Sequence, residues 1–185
     1  MFLWGGSGSG KTILALEIVK TKLSHCKAEN KPVKVIVTSA IHKSDALLLQ
    51  NMRNQLRNIE EVSVLPLEQL CKNLAIDFDW KHCKDMINNI IRTLSTNSDK
   101  HHIFVCDEVV ACHRGGQKTA DWSDLATAEN VTWVLAIKPN NDDSTDNKNL
   151  IPPSDSDSII SRKLLHSHRN CYQIRSVSIG LFYIS

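Results

Sequence analysis

The eight residues Gly5-Gly6-Ser7-Gly8-Ser9-Gly10-Lys11-Thr12 constrain this chain more than any other feature. They hold four of its seven glycines and lie between an apolar run, Met1 to Trp4, and a helix-patterned stretch opening at Lys11. A strand that bends directly into a helix with its N–H groups turned inward needs positive φ values and close backbone approach. Glycine supplies both. The pattern is G-x-x-x-x-G-K-[ST], whose inward amides and positive helix end make an anion site. Gly5, Gly6, Ser7, Gly8, Ser9 and Gly10 are expected to form the cradle of a nucleotide site. Lys11 would reach the β- and γ-phosphates as a point charge, and Thr12 would offer its hydroxyl to Mg²⁺.

The rest of the chain alternates short apolar runs with helical patterns. Lys11 to His25 reads as a helix, with Leu14 and Ile18 on one stripe and Leu16, Val19 and Leu23 on another. Val33 to Thr38 is a β-branched strand. Ser44 to Ile59 is helical, with Ser44 or Asp45 available as a cap. Val62 to Leu65 is a short strand closed by Pro66, followed by a helix through Leu74, and Lys84 to Leu94 is an amphipathic helix. Ile103 to Cys106 is apolar on both faces, as central parallel strands are, and ends in Asp107-Glu108. Val131 to Ile137 is another strand, stopped by Lys138-Pro139, and Ser176 to Ser185 reads as one more. This alternation predicts a three-layer α/β/α architecture with a mostly parallel central sheet, incomplete at its ends. Residues 1–138 form the expected principal domain. Residues 139–158, with five aspartates and one lysine, read as an exposed linker or insertion, and 159–185 as a remainder carrying Arg162, Lys163, Arg169 and Arg175.

Length and charge limit the function classes. A chain of 185 residues can bury a real core. With 22 Lys+Arg against 20 Asp+Glu, it cannot hold nucleic acid by net charge alone. The six cysteines include no C-x-x-C pair, which favours reduced, buried thiols in an intracellular (cytoplasmic or nuclear) protein. His82-Cys83 and Cys112-His113 lack zinc-site spacing. No apolar stretch approaches the roughly 20 residues a bilayer requires, so no membrane partner is expected. The even scatter of Trp4, Trp80, Trp122 and Trp133 favours packing over base stacking. His101-His102 reads as a polar strand entrance and Gly115-Gly116 as a plain loop.

A buried strand ending in two acids completes the chemistry that a glycine loop begins. Asp107 would hold Mg²⁺, usually through water, and Glu108 would polarise the attacking water as general base. The adjacent pair favours hydrolysis over transfer to a small acceptor. ATP is expected rather than GTP, because Asn147-Lys148 is followed by Asn149-Leu150, so the guanine-reading pattern N-K-x-D is not completed.

In this order, the segments resemble the first motor domain of superfamily 1 helicases, and most of all the helicase-like ATPases of the Schlafen type. FLWGGSGSGKT is similar to helicase motif I, and VKVIVTSA to motif Ia, where Thr38 and Ser39 would face a single strand. VSVLPLEQL falls where a short strand and helix follow; IFVCDE is similar to motif II. LLHSHRNCYQI resembles motif IV, whose arginine, here Arg169, approaches the γ-phosphate. The resemblance implies a P-loop NTPase that binds ATP and Mg²⁺, with single-stranded nucleic acid as partner. VTWVLAIKP departs from it: Ala136, Ile137 and Lys138 stand where the family carries a Gly-Asp and a γ-phosphate-sensing glutamine. The chain starts just before the glycine loop and stops shortly after Arg175. A truncated motor is therefore expected, with 159–185 as the start of a second motor-like region. Such a fragment would bind ATP-Mg²⁺, hydrolyse it slowly, and rely on a missing or separate second motor domain or partner chain to translocate.

Three rival readings share parts of this pattern. A signalling ATPase would use the same two motifs as an assembly switch. A nucleotide kinase would add an Arg-rich lid and an acceptor-binding acid, and neither is evident. A degenerate helicase-like interaction module would keep the fold without needing Lys11.

Overall fold

The computed structural model describes residues 1–4, 9–40, 46–79, 82–96, 99–110, 125–138 and 171–173. In chain order these build β1 (Phe2–Trp4), α1 (Lys11–Ala28), β2 (Val33–Ser39), α2 (Ala46–Leu56) and β3 (Val62–Val64). They continue with α3 (Leu67–Asn73), α4 (Cys83–Thr96), β4 (His101–Val110), β5 (Val131–Lys138) and β6 (Cys171–Gln173). The six strands form one sheet in the order β3-β2-β4-β5-β1-β6, and every pairing is parallel.

An all-parallel sheet must be covered on both faces, and two apolar clusters do this. On one face Leu16, Val19 and Leu23 of α1 and Leu49, Met52 and Leu56 of α2 pack on Leu3, Val35, Val37, Ile103, Val105, Val134 and Ala136. On the other, Leu67 and Leu70 of α3 and Met86, Ile87, Ile90, Ile91 and Leu94 of α4 pack on Phe2, Ile36, Phe104, Leu135 and Ile137. Alternate residues of each strand thus serve opposite layers, the period-2 rule of extended chain. The chain runs from β1 through β2 to β3 with its helices on one face, then turns back to β4 with its helices on the other. Right-handed crossovers require this change of face. The architecture is three-layer α/β/α.

Most element boundaries fall near their expected places. On α1 the stripe of Leu16, Val19 and Leu23 is the buried one, while Ile13 and Leu14 are exposed at 62% and 39%. Strand β4 differs: it begins at His101 and, instead of ending before the acids, runs through them to Val110, because Val109 and Val110 pair again with β5. At the far edge Cys171–Gln173 pairs with β1, bringing residues from beyond the acidic stretch into the same sheet. The strand expected at 176–185, the Ser44 or Asp45 cap, the 139–158 linker, Gly115-Gly116, Trp80 and Trp122 lie outside the described residues.

Cys26, Cys71, Cys83 and Cys106 are free, buried thiols. Burial pushes Cys71 up to about 11 and Cys83 up to about 12, so both remain protonated and poorly nucleophilic near neutrality. Trp133 is a core residue, set edge-on to Phe2 with ring centroids 5.0 Å apart and donating its indole N–H to Ala126 O. Among the described residues no helix is long and apolar enough to cross a membrane.

Candidate functional site

The site forms at the carboxyl edge of the sheet, where β1 and β4 end with only β5 between them. Trp4 is in register with Ile137, and Ile137 with Val109, so the end of β1 and the acids of β4 lie at one level along the edge. Two strand spacings separate them, roughly 10 Å. Helix α1 closes that gap. To connect β1 with β2 it must pass over β5 and β4, and its first turn carries Thr12 to Asp107.

Gly10 opens α1 at φ 87°, in the left-handed region, and no side chain caps the helix. Its carbonyl accepts the first helical bond, from Leu14 N–H. The N–H groups of the first turn point toward the positive end of the helix dipole, where an acidic residue is normally favourable. This turn has none, and instead carries Lys11, only 6% exposed. A cation beside a helix N-terminus opposes the helix dipole, and the Asp107 carboxylate lies within its electrostatic reach. The Lys11 Nζ makes a long donor contact, 3.5 Å, to Ser9 Oγ.

Asp107 is fully buried. Its position in the strand alternation, shared with Ile103 and Val105, turns it toward the α1 face. One carboxylate oxygen, Oδ2, accepts the Thr12 hydroxyl, and Oδ1 accepts the Glu108 N–H at 2.8 Å. Its backbone carbonyl accepts Ala40 N–H at 2.8 Å, tying the site to the end of β2. Burial raises the Asp107 carboxyl above the usual carboxylate range, while the Thr12 hydroxyl, the Glu108 amide and Lys11 act in the opposite direction. A buried carboxylate resting on a hydroxyl and an amide is ready for a cation that would repay its lost hydration.

Glu108 has a backbone conformation that its residue type does not foretell. Its φ is +55°, and the β4–β5 register shifts between Cys106 and Val109. Two residues of β4, Asp107 and Glu108, stand opposite Ala136 alone, which is a β-bulge in a parallel pair. The bulge reverses the alternation, so Val109 joins Phe104 and Cys106 on the α3–α4 face. Nothing in a Glu side chain signals a left-handed backbone. The only trace in the sequence is the apolar Val109-Val110 resuming after two acids.

The expected site residues thus divide. Ser9, Gly10, Lys11, Thr12, Asp107 and Glu108 come together at one edge of the sheet. Gly5, Gly6, Ser7, Gly8 and Arg169 lie outside the described residues. Thr38 and Ser39, expected to face a nucleic-acid strand, are instead buried at 0% and 6% exposure. The Thr38 side chain follows Ile36 into the α3–α4 face, and its Oγ1 has no hydrogen-bond partner among the described residues.

Thr12 and Asp107 supply two hard oxygen donors. That set suits Mg²⁺, which keeps several waters and takes its remaining ligands from phosphate. Among the described residues no group of three or more His, Cys, Asp and Glu side chains could hold a metal without such help. No protein-family model matches the chain, and no curated protein matches it.

Proposed function

We propose that this chain is a P-loop NTPase domain that binds ATP with Mg²⁺ and hydrolyses it, as part of a helicase-like motor acting on nucleic acid. The observation that carries the reading is the hydroxyl of Thr12 resting on Asp107 beside the buried Lys11, at the mouth of a helix that starts on left-handed Gly10. A buried lysine, an uncapped first turn and a buried carboxylate with a hydroxyl neighbour answer the two halves of a metal–triphosphate ligand, anion and cation.

In this reading Lys11 and the amides of the first turn bind and orient the phosphates. Thr12 and Asp107 would hold Mg²⁺, which when bound would supply neutralising charge for the phosphates. Glu108 takes the proton of the attacking water. The helicase-like part rests on the ordered motifs and the parallel α/β sheet.

Steady-state hydrolysis of ATP tests this. The wild-type chain should show Mg²⁺-dependent phosphate release, and Glu108→Gln should lower it about 10²-fold or more while leaving ATP binding in place. Release that is unaffected by Glu108→Gln would remove Glu108 from the reaction.

A further inference from the structure

We propose that Asp107 is also a positioning residue, a two-ended clamp that holds Glu108 in its left-handed conformation and couples it to the first turn of α1. The coupling to ligand rests on the nucleotide reading above, while the clamp itself does not.

In a regular strand Asp107 and Glu108 would point to opposite faces of the sheet. The bulge breaks that alternation by giving Glu108 a φ of +55°, a region that an L-residue with a Cβ avoids unless its surroundings impose it. Three contacts of Asp107 supply the imposition. Oδ1 accepts the Glu108 N–H, Oδ2 accepts the Thr12 hydroxyl, and the backbone carbonyl accepts Ala40 N–H. One carboxylate therefore joins the helix that opens at Gly10 to the backbone of the candidate general base. A ligand that engages Thr12 or Oδ2 pulls on one end of this clamp, and Glu108 responds at the other. Site occupancy is thereby linked to the orientation of the group that would act on water.

Backbone NMR of the ligand-free chain tests the clamp directly. Glu108 should show a protected amide and carbon shifts of a left-handed residue. In Asp107→Asn both should persist, because the amide oxygen can accept from Glu108 and its NH₂ can donate to Thr12. In Asp107→Ala the Glu108 amide should exchange roughly tenfold faster, as loss of one such hydrogen bond implies. Thr12→Val, which keeps the shape and removes the hydroxyl, should shift the Glu108 resonances although it lies at the start of α1. A stability cycle gives a second readout, in which Asp107→Ala should cost less in a Glu108→Gly background, because glycine accepts positive φ unaided. Glu108 signals unchanged in Asp107→Ala and Thr12→Val, or an equal cost in both backgrounds, would overturn the clamp. Should Asp107→Ala fail to fold, the Thr12→Val comparison decides alone.

Titration with Mg²⁺ and a non-hydrolysable ATP analogue then tests the coupling. Movement of the Gly10 and Glu108 signals together supports it, and movement of Gly10 with Glu108 unmoved overturns it. If no signal responds at all while the ligand-free results hold, the nucleotide reading fails and the clamp stands.

Discussion

Gly10 and Glu108 both have a left-handed backbone, yet only one could be read from the sequence. At Gly10 a Cβ would meet nothing within 4 Å, so what excludes a side chain is conformation and not space. Gly10→Ala should therefore lower stability by about 1 to 2 kcal/mol through backbone strain alone. Denaturant unfolding with an unchanged m value would register this, whereas a neutral outcome would mean that φ relaxes. Glycine is the usual residue for such a φ, which is why its place in the loop could be read directly. Glu108 reaches the same region through the contacts of Asp107 and the bulge, and those depend on strand register. A pattern of side chains along one chain does not encode register between two strands. The burial of Thr38 and Ser39 was hidden for a similar reason: hydroxyls at a strand end look exposed until the neighbouring layer is in place.

Helices and strands were easier to read, because burial on one or both faces leaves a period in the sequence. Helix α4 shows this, with Met86, Ile87, Ile90, Ile91 and Leu94 all buried against β4 and β5. Ile90 has no exposed surface, and Ile90→Ala should cost about 2 to 5 kcal/mol by removing packed methylenes and leaving a cavity. Ile13, at 62% exposure, provides the contrast. Ile13→Ala should stay within about 0.5 kcal/mol of wild type in the same unfolding measurement. The two apolar stripes of α1 were both visible as sequence. Choosing between them needed the sheet, because the helix must turn Thr12 toward Asp107, and that rotation places Leu16, Val19 and Leu23 in the core. The extension of β4 past its acids was missed because charged residues normally end an apolar run.

For the whole molecule, the two edges of the sheet have opposite chemistry. The carboxyl edge carries the candidate site, while the opposite edge carries His101 and His102 at the start of β4. Burial, followed by Lys34, His101 and Lys100, holds His102 below its ordinary 6.5, and its Nδ1 is buried without a hydrogen-bond partner among the described residues. Burial, Lys31 and Lys22 lower His101 in the same direction, and its Nε2 hydrogen-bonds to Thr132 Oγ1 at 2.9 Å. Both rings take up a proton more readily in the unfolded chain than in the folded one. Their contribution to stability is therefore present above pH 6.5 and is lost as the pH falls through that value toward the folded pKa. Each such proton contributes a slope of up to about 1.4 kcal/mol per pH unit. Unfolding free energies between pH 8 and pH 5 should decline below about 6.5, and His102→Leu should flatten the decline. An equally steep decline in that variant would place the proton uptake elsewhere.

In the proposed function the first turn of α1, with its buried Lys11, binds the phosphates of a nucleotide opposite Asp107. Calorimetric titration of ATP, with and without Mg²⁺, into the wild-type chain and Lys11→Ala tests it most directly. ATP should bind the wild type more tightly with Mg²⁺ than without it, and at least tenfold more weakly in Lys11→Ala, as removal of a charge-assisted contact of roughly 1.5 to 3 kcal/mol requires. A folded wild-type chain that takes up no ATP at millimolar concentration, or one that binds it equally well without the Lys11 ammonium, would contradict it.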